Sequence, residues 1–194
     1  MGSVEFEVRT AAGMRATGER LATVLEPGDL VLLTGDLGAG KTTLTQGIGV
    51  GLGVRGAVTS PTFVIAREHP SSAGGPGLVH VDAYRLGSLV EVDDLDLDTS
   101  LADSVTVVEW GTGLVEDLAG SRLEIRLIRP RGEDQGRADP SGGSLDASLD
   151  GDEVRRVRLT AVGPRWEGTD LSRVGPGPSP TRPDPRPAGN PEGN

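Results

Sequence analysis

The 194-residue chain carries no cysteine and a formal net charge of −10 at neutral pH, which excludes disulfides, thiolate metal centres and cysteine nucleophiles together. So acidic a chain argues against direct, phosphate-driven binding to RNA or DNA, and any nucleic-acid role is expected to run through a partner. The length suits one domain; the first residues, MGSVEFEVRT, lack signal-peptide character, and no apolar run reaches membrane-spanning length, so a cytoplasmic protein with no membrane role is expected.

Val4, Phe6 and Val8 alternate with polar residues and predict an edge strand. Residues 14–25, MRATGERLATVL, place Met14, Leu21, Ala22 and Leu25 near helical spacing, predicting an amphipathic helix. A Pro27-Gly28 turn then introduces DLVLLT at 29–34, an apolar run of the kind that forms a buried parallel strand.

Directly after that run, GDLGAGKT at 35–42 satisfies the phosphate-loop spacing G-x-x-x-x-G-K-[ST]. The nineteen basic side chains include a single lysine, Lys41, and it stands at the one position where this motif needs an ammonium; all the others are arginine. In such a loop backbone N–H groups turn inward around the phosphates, which requires residues tolerant of unusual backbone angles. Gly35, Asp36, Leu37, Gly38, Ala39 and Gly40 form the cradle, followed by Lys41, Thr42 and Thr43 at the start of a helix. The helix dipole favours bound phosphate, Lys41 reaches the β and γ oxygens, and the Thr42 hydroxyl is placed to ligate Mg²⁺. The helix is expected from Lys41 to about Leu52 despite glycines at 47, 49 and 51, each costing about 1 kcal/mol relative to alanine in a helix interior. The chain is therefore read as binding a nucleoside triphosphate with Mg²⁺.

Downstream, SPTF at 60–63 leads into an expected strand at 64–67, and residues 70–77 read as a loop. LVHVD at 78–82 and SVTVVE at 104–109 are compact strands that each end in a carboxylate, Asp82 and Glu109. Residues 86–103 are rich in acids, lack any base, and read as a short helix with turns. Residues 123–128 and 154–162 alternate polar and apolar side chains, as suits an antiparallel pair half exposed to water. Residues 131–153, between them, are acidic and without periodicity, and are expected to be a disordered insertion. One domain over 1–171 is expected, with a disordered Pro/Gly-rich tail over 172–194. The fold class is α/β: a P-loop NTPase-like sheet with parallel core strands, flanking helices and an antiparallel C-terminal hairpin.

Hydrolysis needs a carboxylate near Mg²⁺ and a group to orient or deprotonate water. Asp82 and Glu109 would face the phosphates if their strands run parallel to the strand at 29–34, since ligands of open α/β sheets lie at the carboxyl ends of the strands. Each carboxylate is otherwise an ordinary cap or solvated strand end. His80 shares a strand face with Asp82 and reads equally as a packed histidine. Arg85 could bind a γ-phosphate, pair with an acid or face a partner; Trp110 could shield the site, stack on a base or fill the core.

Four segments in order, GDLGAGKTT (35–43), SPTF (60–63), HVDAYRL (80–86) and VVEWG (107–111), together resemble the TsaE family of small bacterial ATPases, across roughly residues 10–166. The resemblance implies that Lys41 and Thr42 are phosphate and Mg²⁺ ligands, Glu109 a second Mg²⁺ ligand, Asp82 the residue implicated in hydrolysis, and Thr62 a γ-phosphate sensor in a switch-like loop; Trp110 belongs to the same nucleotide site. It also implies docking on a TsaB and TsaD heterodimer, with ATP hydrolysis resetting that complex as it threonylcarbamoylates adenosine 37 of tRNA. The chain would then meet tRNA only through the complex and be monomeric alone. Met14 falls where the family often has threonine, so no nucleotide contact is carried over to it. A GTPase is disfavoured because no N-K-x-D segment exists and the asparagines are confined to Asn190 and Asn194. A small-molecule kinase and a nucleotide-dependent binding module with incidental hydrolysis remain the alternatives.

Overall fold

The computed structural model describes residues 2–61, 66–72, 74–85, 102–113, 119–129 and 154–176. In chain order the elements are β1 (Ser3–Val8), α1 (Ala11–Ala22), β2 (Leu30–Gly35), α2 (Lys41–Leu52), β3 (Ala66–His69), β4 (Gly77–Asp82), β5 (Ser104–Glu109), β6 (Arg122–Ile128) and β7 (Arg155–Val162). Short 3₁₀ turns follow β4 at Ala83–Arg85 and β7 at Pro164–Trp166 and Leu171–Val174. The strands form one sheet in the order β1-β7-β6-β2-β5-β4-β3.

β2 lies between β5 and β6, parallel to both, and β4 runs parallel to β5. Antiparallel pairing closes the two sides, with β7 and β1 beyond β6 and β3 beyond β4. The expected strand at 29–34 and the antiparallel pair at 123–128 and 154–162 are thus borne out, and β1 is an edge strand as its alternation implies. β2 reads as a continuous apolar run because both its faces are covered: Val31 and Leu33 join the cluster containing Leu21, Leu44 and Ile48, while Leu30 and Leu32 meet Val79, Val81 and Val108 on the opposite face. β6 and β7 bury only alternate residues, leaving Arg126 and Arg158 in solvent.

α1 begins three positions before the expected Met14 because Thr10 caps it, its hydroxyl accepting from the Gly13 N–H at 3.0 Å. It stops short of Leu25, where Thr23 turns its hydroxyl back onto the Arg20 carbonyl at 2.7 Å. The glycines of α2, costly in an isolated helix, allow the two helices to meet backbone to backbone. A methyl group on Gly47 would overlap the Arg15 carbonyl, one on Gly18 the Leu44 carbonyl, and one on Gly51 would lie 2.5 Å from the Ala22 Cβ. The propensity penalty is offset by close packing of α2, which carries the phosphate loop at its N-terminus.

The fold continues past the expected start of the tail at Ser172. Leu171 and Val174 are buried in the main core beside Trp166, and the Val174 carbonyl accepts from Arg20 Nε at 3.0 Å. Two apolar residues four positions or fewer apart suffice to pin a chain end, a signal too short for periodicity to reveal. Arg165 adds a polar anchor: its guanidinium donates to the buried Asp29 at 2.9 Å and to the Val24 carbonyl at 3.0 Å, and lies 4.7 Å over the Trp166 ring. The expectations for Thr62, for residues 86–101, for the insertion at 131–153 and for the tail from 177 onward fall outside the described residues. Among the described residues, no helix is long and apolar enough to cross a membrane.

Candidate nucleotide site

The parallel arrangement of β2, β5 and β4 brings the carboxyl ends of all three strands to one edge of the sheet. Gly35 closes β2, Asp36 to Gly40 form the loop, and Lys41 opens α2. Gly40 occupies a left-handed conformation, φ 102°, and α2 has no side-chain cap. Its uncapped first turn of N–H groups and bare glycine backbone therefore suit an anion, in keeping with the spacing that singled it out.

Lys41 is buried, and its ammonium donates to the Gly35 carbonyl at 2.9 Å and to the Asp36 carbonyl at 3.1 Å. The same nitrogen lies 3.9 Å from the Trp110 ring centroid, within cation–π range. Burial pushes the Lys41 pKa below its usual 10.5, opposed by the negative charges of Glu109, Asp82 and Asp36. All three acids thus act electrostatically on the one lysine.

Trp110 is half-buried and adopts φ 63°, alone among the described non-glycine residues in having positive φ. Such a conformation costs about 1–3 kcal/mol for a bulky side chain and persists only where its surroundings hold it. Here its N–H donates to the Leu33 carbonyl at 3.3 Å, and Tyr84 meets its ring edge-on at a centroid distance of 5.6 Å. The turn after β5 thereby lays the indole across the Lys41 ammonium.

Thr42 and Glu109 meet directly, the hydroxyl donating to Glu109 Oε1 at 3.1 Å. His80 Nε2 contacts that same oxygen at 2.9 Å, with the imidazole fully buried. Asp82 pairs in register with Glu109 across β4 and β5, and its carboxylate accepts from the Tyr84 N–H at 3.1 Å, capping the turn that follows. Lys41, Thr42, Asp82, Glu109 and Trp110 are brought together; Thr62 lies outside the described residues.

The donor set suits a hard divalent cation. One hydroxyl and one carboxylate offer oxygens, and no group of three or more His, Cys, Asp or Glu side chains that could hold a metal occurs among the described residues. Mg²⁺ is ordinarily held by one or two protein oxygens, with phosphate oxygens and water completing its shell. The loop and this oxygen pair together fit a Mg²⁺–nucleoside triphosphate.

Sequence reasoning passed over two supports of the loop. Met14 and Arg155 are both buried against Gly40, where a Cβ would lie 3.5 Å from Met14 Cε and 3.9 Å from Arg155 Cδ. Met14 was visible as part of an apolar helical face; the alternation of β7 puts Arg155 in line with Val157, Leu159 and Ala161, but an arginine at the end of a strand carries no sign of burial by its type. A groove of about 710 Å³ also opens on the opposite side of β2, bounded by Asp36, Trp110, Glu124, Arg126 and Arg158.

The model of the family described as "Threonylcarbamoyl adenosine biosynthesis protein TsaE" matches residues 8–138. A relative from Streptomyces coelicolor, named tRNA threonylcarbamoyladenosine biosynthesis protein TsaE, is 58 % identical over 160 residues, covering 82 % of this chain and 97 % of its own. A protein of the same name from Bacillus subtilis is 37 % identical over 154 residues, 79 % of this chain and 82 % of its own. The crystal structure of Bacillus subtilis YdiB superposes with a TM-score of 0.62 at 31 % identity, covering 89 % of this chain and 95 % of that one.

Proposed function

The chain belongs to the TsaE family of threonylcarbamoyladenosine biosynthesis proteins, and from that premise we propose that it is a Mg²⁺-dependent ATPase that drives turnover of a TsaB–TsaD complex modifying adenosine 37 of tRNA. The observation that carries the ATPase reading is the convergence of Lys41, Thr42, Asp82 and Glu109 at the carboxyl ends of β2, β4 and β5.

Lys41 neutralises charge on the β and γ oxygens while the loop N–H groups hold the chain of phosphates. Thr42 and Glu109 hold Mg²⁺, which when bound offsets charge developing on the transferring group. Asp82, beside Glu109 in the ladder and close enough to act on Lys41, orients or deprotonates the attacking water. Loss of the γ-phosphate would release the segment containing Thr62, giving the partner complex a signal that hydrolysis has occurred. A net charge of −10 fits a role in which tRNA is met through the complex and not by this chain.

The direct test combines this chain with TsaB, TsaD, ATP, threonylcarbamoyl-adenylate and tRNA. Multiple-turnover formation of modified tRNA is expected only when this chain and hydrolysable ATP are present; turnover without the chain would refute the proposal. One observation favours a second reading, a nucleotide-dependent binding module with incidental hydrolysis: the Asp82 carboxylate already caps the Tyr84 N–H, which is a structural use of that group.

A further inference from the structure

His80 lies in the middle of β4 with its side chain completely buried. Its Nε2 contacts Glu109 Oε1 at 2.9 Å, while its Nδ1 has no hydrogen-bond partner among the described residues. A carboxylate accepts hydrogen bonds and does not donate them, so Nε2 carries the hydrogen. The imidazole therefore spends one ring nitrogen on Glu109 and leaves the other bare in the core. A buried polar atom without a partner is unfavourable, and an apolar side chain of similar size would fill the same space without that cost. Packing does not account for a histidine here; the bond to Glu109 does.

That bond also decides which way Glu109 faces. Two donors, Thr42 Oγ1 and His80 Nε2, converge on Oε1, one from the helix after the phosphate loop and one from the neighbouring strand. Oε2 has no hydrogen-bond partner among the described residues, and it is not one of the partnerless atoms sealed from solvent. Oε2 is the oxygen turned out of the core. A cation bound at Thr42 would draw on the oxygen of the same hydroxyl that makes the first contact, whereas the His80 contact is made by a fully buried ring in β4 and involves no cation ligand besides Glu109 itself.

We propose that His80 is a positioning residue: its Nε2–H locks the Glu109 carboxylate so that Oε2 faces the divalent cation of the bound nucleotide. The inference rests on the reading that Thr42 and Glu109 hold Mg²⁺. Groups that orient a metal-ligating side chain in this way typically govern 10–100-fold, in round terms, of metal affinity.

The experiment titrates Mg²⁺ into the full-length chain with a fluorescent ATP analogue and compares His80→Gln with His80→Asn. Glutamine extends its amide N–H to about the position of Nε2; asparagine reaches only to that of Nδ1. His80→Gln should keep the apparent Mg²⁺ affinity within about threefold of the unsubstituted chain, and His80→Asn should weaken it at least about tenfold. Affinity for the analogue in EDTA should stay within about twofold in both, which a general loosening of the site would not allow. In a Glu109→Gln background, His80→Asn should produce little further loss. Equal Mg²⁺ affinities for the two variants, or a full additional loss in the Glu109→Gln background, would overturn the positioning role alone. Absence of any Mg²⁺ dependence in the unsubstituted chain would instead overturn the metal reading beneath it.

Discussion

Thr42 donates its hydroxyl hydrogen to Glu109 across 3.1 Å, tying the first turn of α2 to the end of β5. The hydroxyl and the carboxylate, brought together by different elements, can each offer an oxygen to a small hard cation. Thr42→Ala removes the hydroxyl and should raise the Mg²⁺ concentration needed for ATP hydrolysis by about tenfold or more, while Thr42→Ser restores the ordinary requirement. The Mg²⁺ dependence of phosphate release reports the difference.

Lys41 presents a single buried ammonium to the loop carbonyls and the Trp110 face. Lys41→Ala deletes contacts to the phosphates that are charge-assisted, each worth about 1.5–3 kcal/mol, so ATP affinity should fall by about 100-fold. Calorimetric titration with ATP and Mg²⁺ checks this, and turnover of the TsaB–TsaD complex should be lost with it.

Asp82 separates hydrolysis from binding. Asp82→Ala should leave ATP affinity within about threefold while lowering the hydrolysis rate by about 100-fold or more, the range for removal of a water-activating group. Retention of normal tRNA modification by that variant would favour the binding-module reading.

The contact between α1 and α2 predicts a stability effect remote from any chemistry. Gly47→Ala forces a methyl into the Arg15 carbonyl and should cost about 2–3 kcal/mol despite the better helix propensity of alanine. Val50→Ala on the exposed side of the same helix, where the residue is 66 % accessible, should change stability by less than about 0.5 kcal/mol. Urea unfolding of the two variants decides the matter.

Burial raises the Asp29 pKa above its ordinary 3.8, against the lowering influence of the Glu26 backbone N–H and the Arg165 guanidinium. The folded chain thus holds this proton more tightly than the unfolded one. Its contribution is fully present below 3.8 and is lost as pH rises through the folded pKa. The stability of the unsubstituted chain minus that of Asp29→Asn should therefore decline as pH rises above 3.8 and level off once the folded carboxyl has ionised. Unfolding curves for both proteins across that range measure it.

Much of the fold and of the site is legible in the sequence. The loop spacing and the apolar run before it located β2 and α2, and the carboxylate-terminated runs located β4 and β5 with Asp82 and Glu109 at their ends. These signals are local, and the parallel pairing of their strands is what turned them into one site. What stayed hidden depends on contacts between distant segments. The left-handed backbone of Trp110 has no compositional marker, and the purpose of the α2 glycines emerges only with α1 beside them. The bond from His80 to Glu109 spans two strands, and spacing along one of them could place the histidine on a face without naming its partner. Val174 escaped because one buried valine in a Pro/Gly-rich stretch carries no period.

With no side chain between α1 and α2 at Gly18 and Gly47, neither helix can roll or slide without one backbone striking the other. The phosphate loop is thereby seated on a fixed base. Across from that base, at the tips of β4 and β5, stand Asp82, Glu109 and Trp110. The bond from Thr42 to Glu109 spans the gap between the packed helix pair and those strand tips, so a substitution that loosens α1 from α2 would be felt at the carboxylate without touching it.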